Sequence, residues 1–155
     1  MWTLLLGLAL AEDSDLVATA VIPASPDSLY EALLDLDRQR QLWPEDCAKG
    51  WVMGEPHRGE GATASLVWVP SVMHRRLPAR ISKVEPGRRI TVDHAGRKGF
   101  ALTWTLSPVE GGTAVELHTW ILPPPRPFVR LWERRVRPAW QACHVEALRR
   151  LGARP

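Results

Sequence analysis

Residues Pro127 to Leu151 read PFVRLWERRVRPAWQACHVEALRRL, and this stretch decides the fold. Phe128, Leu131, Trp132, Val136, Trp140, Cys143, Ala147 and Leu151 recur at helical spacing, which predicts one long amphipathic helix. Pro127 suits the first turn and Gly152 the end. Pro138 lies mid-segment, where its missing N–H and bulky ring predict a kink or a division in two. Immediately upstream, Pro123-Pro124-Pro125-Arg126-Pro127 reads as a stiff extended connector.

Working outward from the helix, the preceding sequence is a series of short β-type runs. They fall near Cys47–Gly54, Ala62–Val69, Val72–Val84, Arg89–Ala95, Phe100–Leu106 and Thr113–Leu122. Glycine or proline separates most of them, in connectors at Pro56–Gly61, Pro70-Ser71, Pro86-Gly87, Ala95–Gly99 and Pro108–Gly112. Connectors this short imply an antiparallel meander. A further alternating run, Leu16–Pro23, makes seven strands. After it, Ser25 and Pro26 mark a helix start, and Leu29, Tyr30, Leu33, Leu34 and Leu36 form one stripe. A second short helix is predicted from Asp35 to about Leu42, ending at Trp43-Pro44. A sheet with one apolar face needs a cover, and only the last helix is long enough to supply it. The chain thus reads as an α+β domain: a curved seven-stranded antiparallel sheet gripping a C-terminal helix, with two short helices between strands 1 and 2.

This order, with three stretches of sequence, resembles the START and birch-pollen-allergen-like superfamily, often labelled polyketide cyclase/dehydrase or SRPBCC. The stretches are VIPASPDSLYEALLDLDRQRQLWP from Val21 to Pro44, the turn Val84-Glu85-Pro86-Gly87-Arg88-Arg89-Ile90, and Trp104-Thr105-Leu106-Ser107-Pro108 through Gly111-Gly112-Thr113-Ala114-Val115. None of them is a catalytic motif. The resemblance spans about Asp15 to Leu151. It implies a helix-grip fold with an apolar cavity between sheet and helix, in which members bind lipids, sterols, polyketides or other hydrophobic molecules. A minority of members are enzymes, and others are interaction modules.

Strand alternation predicts which side chains face inward. Leu66 and Trp68 share one face of their strand, as do Ile90, Val92 and His94, and Phe100, Leu102, Trp104 and Leu106. Met73, Arg75, Leu77, Ala79 and Ile81 share a face, as do Val115, Leu117 and Ile121, which sends Glu116, His118 and Trp120 outward. The expected ligand-binding residues are Tyr30, Trp68, Arg75, Leu77, Val92, His94, Leu102, Trp104, Leu117, Trp132, Val136 and Trp140. Trp43 is a further aromatic candidate for the lining. Arg75 would anchor a carboxylate. His94 would anchor a ligand oxygen or, being titratable near neutral pH, act as a general acid or base.

The expected function is binding or transport of a hydrophobic small molecule. The alternatives are a polyketide cyclase or dehydratase-like enzyme, and an interaction module whose cavity is filled by its own side chains. With eight tryptophans in 155 residues, either filling or lining is within reach.

The rest of the composition excludes more than it assigns. The net charge of +3 lacks a dense basic stripe or motif, so no nucleic-acid partner is expected. The five histidines form no HxH or HxxxH pair, so neither metal nor cofactor is expected. Arg126, Arg130, Arg134, Arg135 and Arg137, with Phe128 and Trp132, suggest peripheral contact with an anionic membrane. Met1–Ala11 (MWTLLLGLALA) reads either as an N-terminal segment that packs on the domain or as a short signal peptide with cleavage before Glu12, which favours export although no Lys or Arg precedes the apolar run. Residues 12–155 would then form the helix-grip domain. A disulfide between Cys47 and Cys143 would require export, and two buried free thiols are the expectation.

Overall fold

A computed structural model describes residues 15–71, 75–94, 100–121 and 126–153. The strands are β1 (Leu16–Ile22), β2 (Ala48–Met53), β3 (Thr63–Trp68), β4 (Arg76–Glu85), β5 (Arg89–His94), β6 (Phe100–Val109) and β7 (Gly112–Ile121). They form one curved antiparallel sheet in the order β1-β7-β6-β5-β4-β3-β2. β2 to β7 are thus a meander, and β1 closes onto the last strand. The expected helix-grip architecture is the one observed.

Between β1 and β2 lie α1 (Pro26–Leu33) and α2 (Leu36–Arg40). Each starts where a short oxygen-bearing side chain satisfies a free N–H. Ser25 Oγ accepts from the Ser28 N–H, and Asp35 Oδ1 accepts from the Asp37 N–H at 2.9 Å. Leu29, Tyr30, Leu33 and Leu36 are buried as the stripe requires.

The C-terminal segment is more divided than a single kinked helix. It runs as a 3-10 turn (Arg126–Phe128), a short α3 (Val129–Leu131), a π-helical turn (Trp132–Val136) and α4 (Arg137–Ala153). In the π turn the Arg137 N–H reaches back five residues to the Trp132 carbonyl. Pro138 follows directly and has no N–H to give to Arg134. The widened turn lies where a regular helix would force the proline ring against that carbonyl.

Several strand ends shift from the expected bounds. β4 starts at Arg76 rather than Val72, and residues 72–74 lie outside the described residues. Ala95 and Leu122, predicted as strand ends, also lie outside them. β6 continues to Val109, so the predicted loop Pro108–Gly112 contracts to Glu110 and Gly111. Pro108 fits because the β5–β6 ladder has already ended at Arg89↔Thr105, leaving one side of β6 unpaired. Gly112 is required at its position, since a Cβ there would overlap the Ile22 carbonyl oxygen. β1 and β7 can close on each other only with no side chain at that point.

Inward facing follows the predicted alternation at most positions. Leu66, Trp68, Ile81, Ile90, Val92, His94, Leu102, Trp104, Leu106, Val115 and Leu117 are all buried, and Trp120 is 52% exposed. A register shift between Ile81 and Lys83 moves the inward set of β4 from odd to even numbers, so Val84 packs on the core. Arg75 is the exception to the predicted facing. It precedes β4 and is exposed, so it does not share the buried face of Ala79 and Ile81.

The cysteine expectation is corrected. Cys47, just before β2, and Cys143 of α4 form a disulfide across 96 residues, with their Cα atoms 5.8 Å apart. Cys143 sits on the stripe of α4 that also buries Trp140 and Ala147, so packing the helix on the sheet carries it to Cys47. Spacing in sequence holds no trace of that approach.

Candidate functional site

The interior between sheet and α4 is aromatic. Trp68 is the hub. Its ring lies 4.9 Å from Trp43, 4.7 Å from Trp140, 5.7 Å from Phe100 and 5.4 Å from His94. Trp43 also meets Trp104 and His144, and Phe100 meets Trp140. Three parts of the chain therefore supply one cluster: the end of the helical insertion (Trp43), the sheet, and α4.

His94 is placed by the sheet and by a defect in it. It is the cross-strand partner of Phe100, which puts the two rings side by side at 4.6 Å. The β4–β5 ladder runs only as far as Arg80↔Asp93, and the His94 ring then serves the next carbonyl, with Nδ1 3.1 Å from the Pro78 oxygen. A carbonyl only accepts, so Nδ1 carries the proton and Nε2 is a bare acceptor. Burial disfavours the imidazolium and pushes the pKa of His94 down to about 3, against the Pro78 hydrogen bond, which favours the charged form. The expectation that His94 titrates near neutral pH is thereby corrected: at pH 7 it is neutral.

His144, four residues beyond Trp140, was not singled out by the sequence, although it shares that residue's helical stripe. It is buried and fully partnered. Its Nδ1 donates to the Trp140 carbonyl at 2.7 Å, leaving Nε2 to accept from the Thr119 hydroxyl. Burial lowers its pKa to about 4.

Three buried ring nitrogens in this interior have no hydrogen-bond partner among the described residues: Trp68 Nε1, Trp104 Nε1 and His94 Nε2. The indole groups can only donate, and the imidazole nitrogen accepts. An apolar interior thus carries two donors and one acceptor that no other described residue engages. Buried polar atoms are seldom left so.

The remaining expected residues divide by position. Val92, Leu102 and Leu117 are buried on the sheet beneath the cluster, and Trp132 and Val136 are buried on the π turn. Leu77 packs at the margin of the core. Tyr30 is buried on α1, which packs on β5 and β6, and it makes none of the ring contacts of the tryptophan cluster. Arg75 lies on the surface, away from the interior. No group of three or more His, Cys, Asp or Glu suited to a metal occurs among the described residues.

A family model described as polyketide cyclase / dehydrase and lipid transport matches residues 14–154. The chain belongs to this family. Solved structures support the same fold. The solution structure of KanY protein shares 20% identity over 90% of this chain and 94% of its own, with a TM-score of 0.72. TTHA0849 from Thermus thermophilus shares 18% identity over 90% and 95%, with a TM-score of 0.67. The di-domain ARO/CYC StfQ from the steffimycin biosynthetic pathway shares 18% over 90% of this chain and 49% of its own, with a TM-score of 0.66. No curated protein matches the sequence.

Proposed function

We propose that this protein binds a hydrophobic, oxygen-bearing small molecule between its sheet and α4. The observation that carries the reading is the set of three nitrogens within the aromatic cluster that have no partner among the described residues. A ligand hydroxyl would donate to His94 Nε2, and a ligand carbonyl would accept from Trp68 or Trp104 Nε1. Broad ring faces would supply the apolar contact. The family and its neighbours support hydrophobic binding or cyclase-like chemistry in general terms.

Titration of the intrinsic tryptophan fluorescence with dihydroxyanthraquinone and with anthracene tests the proposal. The two probes share a three-ring skeleton and differ in oxygen. The oxygenated probe should bind at least tenfold more tightly. Trp68→Phe keeps most of the ring volume and removes the N–H, and should reduce that preference. Equal affinity for both probes would sink the hydrogen-bonding claim.

The ring contacts favour a second reading, an interaction module whose interior is filled by its own side chains. Centroids 4.6–5.7 Å apart throughout the Trp68, His94, Phe100 and Trp140 set describe rings already packed on each other. That reading requires that neither probe alters the fluorescence. A cyclase or dehydratase role would use His94 as a neutral acceptor rather than as a group titrating near pH 7. We also propose an oxidising compartment for the protein, because the Cys47–Cys143 pairing is the kind that persists there. Thiol titration of protein recovered from an extracellular or periplasmic fraction should find no free sulfhydryl, and two free thiols would count against it.

A further inference from the structure

The surface of the segment between residues 126 and 136 does not match a helix that merely caps the sheet. Trp132 and Val136 turn inward and are buried, whereas Phe128 is 44%, Leu131 42% and Val129 37% exposed. These bulky apolar side chains lie within four consecutive residues. Arg126, Arg130, Arg134 and Arg135 are exposed around them, with Glu133 the lone acidic residue, a net +3 over ten residues.

Six arginines elsewhere in the described residues, Arg40, Arg58, Arg88, Arg89, Arg149 and Arg150, are each neutralised by a nearby carboxylate, whereas the four of this segment are clustered without such a partner. Arg126, Arg130, Arg134 and Arg135 make no ion pair among the described residues. The segment therefore presents unneutralised guanidinium groups beside exposed apolar side chains. No helix of the described residues is long and apolar enough to cross a bilayer, so this is a surface feature.

We propose that residues 126–135 dock on an anionic lipid bilayer, with Phe128, Val129 and Leu131 in the interfacial layer and the arginines on lipid phosphates. The charge complementarity selects the partner. Guanidinium groups bind phosphodiesters in a bidentate way, and an interfacial segment buries its apolar face at the same depth at which its arginines meet the headgroups. A nucleic acid would satisfy the arginines and leave three apolar side chains in water. The segment leads through Trp132 and Val136 directly into Trp140 of the aromatic interior, but the docking claim stands without any ligand there.

Sedimentation of the full chain with vesicles decides the matter. Vesicles of phosphatidylcholine containing one third phosphatidylglycerol should retain the protein at low salt and release it as salt rises. Vesicles of phosphatidylcholine alone should retain far less. Arg130→Glu with Arg134→Glu should weaken binding at least tenfold, since each basic residue near an anionic surface is worth about fivefold and reversal adds repulsion. Phe128→Ser with Leu131→Ser should weaken it further. All four side chains are exposed, and an unchanged far-ultraviolet circular dichroism spectrum will show that the variants fold. Failure to sediment with the anionic vesicles, equal binding to both compositions, or unchanged binding of the arginine variant each overturns the proposal. So does salt-sensitive binding to duplex DNA that the apolar variant leaves unaltered while the vesicles retain nothing.

Discussion

At the scale of single residues, His94 and His144 make the interior sensitive to acid. Unfolded, each imidazole titrates near 6.5, whereas the folded values are about 3 and about 4. The unfolded chain therefore takes up protons first as the pH falls. The stability these neutral histidines allow is complete above about pH 6.5 and is lost progressively below it, at roughly 1.4 kcal/mol per pH unit for each residue. Thermal unfolding should show a falling melting temperature from about pH 7 to about pH 5, above the range where ordinary carboxylates titrate. His94→Phe should flatten that fall, and a profile identical to the parent's would show that His94 is not the buried neutral group described. Trp68→Phe and Trp68→Ala separate two roles of one residue. The first removes an N–H with no partner among the described residues and a small part of the ring volume, and should cost about 1–2 kcal/mol, whereas the second opens a large void and should cost about 3–5 kcal/mol in denaturant unfolding. Gly112→Ala should destabilise strongly, because the new methyl would overlap the Ile22 carbonyl where β1 meets β7. Gly59→Ala meets no neighbouring atom within 4 Å and carries only the strain of a positive φ, so it should cost about 1–2 kcal/mol.

At the scale of elements, the disulfide decides how firmly the helix is held. Cys47 immediately precedes β2 at one sheet edge, and Cys143 is two turns into α4, which otherwise packs mainly on β1 at the opposite edge. The bridge thus ties the helix to the far side of the sheet across the aromatic cluster. Closing a loop of 96 residues restricts the unfolded chain severely. Cys47→Ser with Cys143→Ser should lower stability by about 2–5 kcal/mol, measured by urea unfolding with and without reductant. A double variant as stable as the parent, and indifferent to reductant, would show the bridge to be unnecessary for the grip. The π turn belongs to the same scale. Trp132 and Val136 face inward there as the helical stripe predicts, but the widened turn itself, just ahead of Pro138, is not given by that periodicity.

At the scale of the whole molecule, the domain is a sheet wrapped on one helix with aromatic side chains between them. Most of that was legible in the sequence. Alternation in β3, β5, β6 and β7 identifies Trp68, His94, Trp104 and Leu117 as inward because the pleat enforces a period of two wherever one face is buried. The short glycine and proline connectors determine the meander, and the 3.6-residue stripe of residues 127–151 determines the cover. Local rules of this kind need no knowledge of distant contacts. The tertiary structure decided everything that depends on two segments meeting. It joined Cys47 to Cys143, which lie 96 residues apart, and it put Arg75 in solvent beyond the end of β4. It also gave the His94 ring the Pro78 carbonyl and surrounded it with Trp68 and Phe100, and that burial, rather than the residue type, makes the imidazole neutral at pH 7. Spacing along a chain records which face a side chain takes; only the packed fold records what lies opposite it.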